Sequence, residues 1–187
     1  MSKEGRRAID VGAFLRYGQE FLLKKLKLNN PVARLVNDAK GDELWQMLRL
    51  LRDSEYLTDF LRAVMELPME NWYEQKPGIH HAFASFNGSE IAELVRMYQE
   101  TGHDSPVMAH LDYDQYWTQM VENEVKTGYL AMACQMLSRA KTGMANGQPI
   151  PGIVSSASKN CLAKLNRYIN RYIKRAELSA KQKIKGK

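Results

Sequence analysis

Residues 166–173 spell Asn-Arg-Tyr-Ile twice in succession, and a third copy begins but changes at Lys174-Arg175. An α-helix turns about 100° per residue, so a four-residue step returns about 40° past its start and like residues stack into slightly slanted ridges. On a helix the repeat therefore sorts its residues by chemistry. Arg167, Arg171 and Arg175 form one ridge, with Lys164 and Lys174 beside it. Leu162, Leu165, Ile169, Tyr172, Ile173 and Ala176 gather into an apolar arc roughly 160° from the centre of the basic one. Tyr168 borders the basic face, and Asn166 and Asn170 occupy the opposite border. The alternating three- and four-residue spacing of the apolar set is a heptad seam, but it lasts about two repeats, short of the three or four that specify a coiled coil. The expectation is a two-faced helix packed on the rest of the chain by one side.

The same helical periodicity dominates the remaining sequence and no convincing alternating strand occurs, so the expected fold class is all-α. The architecture expected is a compact multi-helix domain followed by a basic amphipathic C-terminal helix and a flexible tail. Helices are expected over about residues 8–27, from Asn30-Pro31 to about Asp38, over GDELWQMLRLLRD with Asp42 as cap, and from Ser54 until Pro68 stops the pattern. Met69 to Gly88 is the least regular part, with a short helix around His80 to Phe86. Ser89 is expected to cap the next helix and Gly102 to end it in the left-handed conformation. Asp112 and Gln115 form a capping-box pattern that opens a long helix to about Gly143. The stretch NGQPIPG, residues 146–152, reads as a linker between residues 1–145 and 153–187. Beyond it a helix is expected from about Ser156 to Ala176 or further, fraying into SAKQKIKGK.

Charge is divided sharply along the chain. Residues 136–187 carry 12 Lys+Arg against one Glu, residues 1–27 carry 7 against 3 acids, and residues 73–135 carry 3 against 9. Basic ends flanking an acidic middle imply attraction to a polyanion, or between the ends and the middle of this or another chain. No apolar run approaches the roughly 20 residues of a membrane span. The start, MSKEGRRAID, leads into a helical pattern broken by charges and not into a secretory signal, so a cytoplasmic or otherwise intracellular location is expected. Cys134 and Cys161 each stand without a second Cys or His at zinc-finger spacing, so both are read as buried thiols. Trp45, Trp72 and Trp117 are read as core residues.

Two patterns bear on catalysis. All four histidines, His80, His81, His103 and His110, lie in the acidic middle, near Asp104, Asp112 and Asp114. A helical chain with His, then His-Asp, then Asp resembles the metal-dependent phosphohydrolases of the HD type, and that resemblance implies metal ligation by His80, His103, Asp104 and Asp112. In that family the His-Asp pair usually ends a buried apolar helix. Here it lies between Thr101-Gly102 and Ser105-Pro106, where Ser105 or Asp104 reads as an N-cap for Pro106 onward and Asp112 as a cap of the next helix. Ser156-Ala157-Ser158-Lys159 has a Ser-x-x-Lys spacing, with Lys-Thr-Gly at 141–143 before it, the reverse of the order in penicillin-binding enzymes. A helix cap at Ser155 or Ser156 accounts for the serines. No Walker loop, dinucleotide-binding glycine pattern or HExxH occurs.

The function expected is non-catalytic nucleic-acid binding, to DNA or RNA, with no cofactor. Lys164, Arg167, Arg171, Lys174 and Arg175 would contact phosphates, Tyr168 would stack from the edge, and Lys181 and Lys183 would add charge from the tail. The rival expectation is a structural scaffold or assembly adaptor, whose basic helix docks on an acidic protein surface, including the acidic middle of another copy.

Overall fold

Capping residues and glycines decide where the helices start and stop. A computed structural model describes residues 9–24, 29–68, 78–102 and 105–186. Asp10 caps α1 (Val11–Tyr17), its Oδ1 accepting from the Ala13 amide at 2.9 Å. Gly18, at φ 58, then ends that helix, and α2 (Gln19–Lys24) starts on a new axis. The single helix expected over 8–27 is therefore two, because the left-handed conformation that glycine adopts without steric cost turns the chain where periodicity alone would carry it on. Asn30 caps α3 (Pro31–Asp38) as expected, accepting from the Ala33 amide at 3.2 Å.

Asp42 stands at the start of α4 (Glu43–Leu51) without making a cap bond, while Glu43 Oε2 accepts from the Lys40 amide at 2.7 Å. Ser54 sits in the turn before α5 (Leu57–Met65), donating to the Leu51 carbonyl and accepting from the Tyr56 amide. The short helix expected near His80 is α6 (Ile79–Ala84). A 3₁₀ helix, Pro106–His110, completes this part of the chain. In this first unit, residues 1–86 with 100–111, α1 packs on α2 and α4, α3 on α5, and α6 on α4 and the 3₁₀ turn. Phe14, Leu48, Phe60 and Phe83 are buried at its centre. Trp45 is only half-buried, stacked on His81 with centroids 4.4 Å apart, so it is not the core residue expected. Trp72 lies outside the described residues.

The second unit comprises residues 87–99 and 112–187. Its first helix, α7 (Gly88–Thr101), is opened by Asn87 and not by Ser89: Asn87 Oδ1 accepts from the Glu90 amide, and Glu90 Oε1 accepts in return from the Asn87 amide, both at 2.9 Å. That reciprocal pair is a capping box, which also satisfies the buried Glu90 carboxylate. Gly102 follows the helix at φ 62, as expected.

The long helix expected from Asp112 to Gly143 is broken at Gly128, φ 80, into α8 (Tyr113–Lys126) and α9 (Leu130–Thr142), which pack on each other. Only Ala133 and Ala140 of α9 are buried, seven residues apart on one line of the helix, and such small side chains let neighbouring helices approach closely. Cys134 lies about 100° round from Ala133 and is exposed, against expectation, whereas Cys161 is buried. After α9 comes a two-residue hairpin, β1 (Met144–Ala145) with β2 (Gln148–Pro149), antiparallel with Met144 opposite Pro149. Its turn uses Asn146-Gly147, both at positive φ, an Asn-Gly signal that marks hairpins.

The segment after the hairpin is fastened at four points. Gln99 Nε2 donates to the Pro151 carbonyl at 2.9 Å, Tyr113 Oη to Gly152 at 3.1 Å, Trp117 Nε1 to Ser155 at 3.3 Å, and the Ala157 amide to Ala140 at 2.8 Å. Ser158, and neither Ser155 nor Ser156, then caps α10 (Lys159–Lys185), its Oγ accepting from the Cys161 amide at 3.1 Å. The tail SAKQKIKGK, expected to fray, is helical to Lys185. Among the described residues, no helix is long and apolar enough to cross a membrane.

Candidate nucleic-acid interface

One carboxylate sets the direction of α10. Asp114, in the first turn of α8, accepts from both the Ser158 amide (2.7 Å) and the Ser158 hydroxyl (2.6 Å). The capping serine is thereby tied to a residue 44 positions earlier. From that anchor the helix lays Cys161, Leu165 and Ile169 against α8 and α9, all buried, with Leu162, Tyr172 and Ile173 half-buried beside them. The packed face is the apolar arc expected from the repeat.

The opposite face is cationic. Lys164, Arg167, Arg171, Lys174 and Arg175 are all exposed, and Tyr168 is half-buried at the border. Among the described residues, no carboxylate lies within ion-pairing distance of any of these five cations. Arg167 Nε instead donates to the Ala163 carbonyl of its own helix at 3.3 Å. The charge on this face is therefore left to solvent or a ligand.

From Lys174 to Lys185 every residue is exposed, so about three turns of α10 project beyond the packed part. The seam explains where packing stops: continued at heptad spacing past Tyr172, it meets Ala176, Ser179 and Lys183, which offer little or no apolar surface. Lys181 falls nearly on the line of Lys174, seven residues on, and extends the ridge. Lys183 falls on the line of Leu165, eighteen residues on, and so belongs to the other side. Lys159 and Lys185, not singled out from the sequence, are exposed on the same helix.

Beside the first turn of α10 is a cleft of about 290 Å³, bounded by α8 and the start of α7. Its lining includes Gln115, Thr118, Gln119, Glu122, Asn160 and Lys164. Sequence reasoning missed it, since its walls come from three stretches far apart in the chain and no motif marks them. Gly88 closes one end, where an added Cβ would lie 2.6 Å from the Gln115 carbonyl oxygen. Cys161 forms part of the floor. Burial pushes its thiol pKa up, against the lowering effect of the Thr118 hydroxyl 3.6 Å away, and the Asp114 and Asp112 charges raise it further. Burial thus disfavours the thiolate, the form in which a cysteine acts as a nucleophile.

The tyrosines of α8 add a pH dependence. Tyr113 is 5 % exposed, and burial pushes its phenol up to about 12, with a backbone hydrogen bond at Val154 opposing and the rings of Tyr116 and Tyr98 adding. The phenol of an unfolded chain ionises near 10, so the unfolded state loses its proton first. The stabilisation is complete below about pH 10 and is lost as pH rises toward about 12, by up to roughly 3 kcal/mol. Thermal melts across that range are expected to show falling stability, with phenolate absorbance lagging behind that of free tyrosine until the chain unfolds. A melting temperature that rises over the same interval would contradict the assignment.

The groups named for metal ligation are placed differently. His80 lies on α6 in the first unit, 5.2 Å from the His110 ring, and Asp112 is the cap of α8 in the second, accepting from the Asp114 amide. His103 and Asp104 lie outside the described residues. Among the described residues, no group of three or more His, Cys, Asp or Glu side chains is arranged to hold a metal ion. Ser156 and Lys159 do not share a helix, because Ser156 precedes the Ser158 cap.

Compared with known proteins, the chain matches no family model, no curated protein and no solved structure.

Proposed function

We propose that the chain binds nucleic acid without catalysis, laying the exposed ridge of α10 along a phosphate backbone. The observation that carries this reading is the separation of faces on one helix. Five exposed cations without a carboxylate partner stand opposite a seam that is already packed, so the ridge is free for a ligand without unfolding anything. Arginine takes phosphate oxygens bidentately, and three of the five cations are arginines at four-residue spacing.

The test is the salt dependence of binding. If Lys164, Arg167, Arg171, Lys174 and Arg175 each neutralise one phosphate, the slope of log affinity against log salt is about −4.5 on duplex and about −3.5 on single strands. Changing Arg167 and Arg171 together to Gln is expected to reduce that magnitude by nearly two units, with equal loss on unrelated sequences, because phosphate contacts carry no base information. A slope that the double substitution leaves unchanged removes this face as the binding site.

A second reading has its own observation. Leu178 and Ile184, 59 % and 76 % exposed, give the projecting turns apolar points that a phosphate ligand does not use. A scaffold whose α10 docks on an acidic protein surface would use both them and the cations. It would show concentration-dependent assembly weakened by salt, and little affinity for polynucleotide at physiological salt.

A further inference from the structure

We propose that the cleft at the head of the α10 ridge receives one unstacked nucleobase, which makes the preferred ligand single-stranded. The inference rests on the phosphate-binding reading of the ridge and adds to it a substrate class. Asn160, Lys164 and Tyr168 follow one another at four-residue spacing, so they form a row next to the row of Arg167, Arg171 and Arg175. Lys164 belongs to both features, as a member of the ridge and a wall of the cleft. A strand whose phosphates follow the ridge thus has its base edges directed toward the cleft at the Lys164 end and toward the Tyr168 ring one turn later.

The lining suits a base in both size and chemistry. At about 290 Å³ the cleft has the volume of about ten waters and lies at the lower limit of ligand pockets, enough for one flat ring. Three of its polar groups, Gln115, Gln119 and Asn160, are amides, which present a donor and an acceptor together, as a base edge does; Asp114, also in the lining, is engaged with Ser158. The Asn160 side chain is exposed at the mouth, and Gln119 Nε2 is engaged only along its own helix, donating to Asn123 Oδ1 at 3.0 Å. Glu122 adds an acceptor, in a loose 4.0 Å pair with Lys126. An acceptor-only carboxylate beside amides matches a base with an exocyclic amino group, cytosine being the smallest, and opposes entry of a phosphate. A duplex holds its bases stacked and its edges paired, so this contact is open to single strands alone.

The experiment compares two single-stranded DNA probes of equal length and charge, an oligo-dC and its abasic counterpart, binding to the full chain at one salt concentration. The oligo-dC is expected to bind roughly tenfold more tightly, the effect of one or two hydrogen bonds to a base. The Gln119→Leu, Asn160→Leu double variant is expected to erase that difference while leaving the salt slope intact. Arg167→Gln with Arg171→Gln is expected to flatten the slope while keeping the difference. A 2-aminopurine placed in the wild-type probe supplies a readout independent of any variant, since its fluorescence rises when the base leaves the stack. Equal affinity for the two probes, or no fluorescence change on binding, overturns the base cleft while the ridge stands. Absence of salt-dependent binding to either probe overturns the ridge reading, and the cleft with it.

Discussion

Replacing Leu165 and Ile169 with alanine is expected to lower the melting temperature far more than any change on the other face of α10. Both side chains are 3 % exposed and pack against α8 and α9, so each truncation removes buried methyl groups and leaves a cavity. Such substitutions cost about 2 to 5 kcal/mol each, and for residues one turn apart the two losses will not simply add. A loss of that size shifts a melting temperature by several degrees per substitution. Ile173 is only half-buried, so its replacement by alanine should cost less. Arg167→Gln and Arg171→Gln should leave the melt unchanged within error, because both side chains are exposed and neither holds a carboxylate. If the arginine pair proves the destabilising one, the helix is turned the other way round and the phosphate-face argument falls.

Ending the chain after Ile173 is expected to produce the opposite pair of effects, unchanged stability and a large loss of binding. Every described residue from Lys174 onward is exposed, so the deletion removes no core and opens no cavity. It does remove Lys174, Arg175, Lys181, Lys183, Lys185 and Lys187 against the single Glu177. Loss of the two ridge cations alone reduces the magnitude of the salt slope on duplex DNA by about 1.8 of the roughly 4.5 expected for the full ridge. Differential scanning calorimetry and a salt series on one preparation read both effects together. Undiminished binding would show that Lys174, Arg175 and the tail lysines take no part, leaving Lys164, Arg167 and Arg171 or the basic N-terminal segment around Arg6, Arg7, Lys24, Lys25 and Lys27 as the site. A melting temperature lowered by many degrees would instead mean that the projecting turns are packed, contrary to their exposure.

Much of the local structure was legible because it depends on near neighbours in the chain. Asn30 before Pro31, Asp112 before α8 and Gly102 after α7 act as their residue types dictate. The long-range pairs were not legible. Nothing near Ser158 distinguishes it from Ser155 or Ser156 as a cap, and what selects it is Asp114, brought alongside by the packing of α8 on α10. The same holds for the cleft, whose amides come from α8 and α10 and line one cavity only when those helices are side by side.

The sequence by itself determined that the chain is helical, which side of α10 is apolar and which is cationic, and where the seam runs out. Each of those follows from a 100° turn per residue and the chemistry of side chains within a few positions. Glycine permits the left-handed turns at Gly18 and Gly128, but only the tertiary structure decided that the pattern breaks there. A glycine within a helical run costs only about 1 kcal/mol relative to alanine, too little to end a helix unaided. The break at Gly128 becomes favourable when folding the run back lets α8 and α9 bury Val121, Val125, Ala133 and Ala140 together with the seam of α10, a gain in apolar burial that a straight helix could not reach.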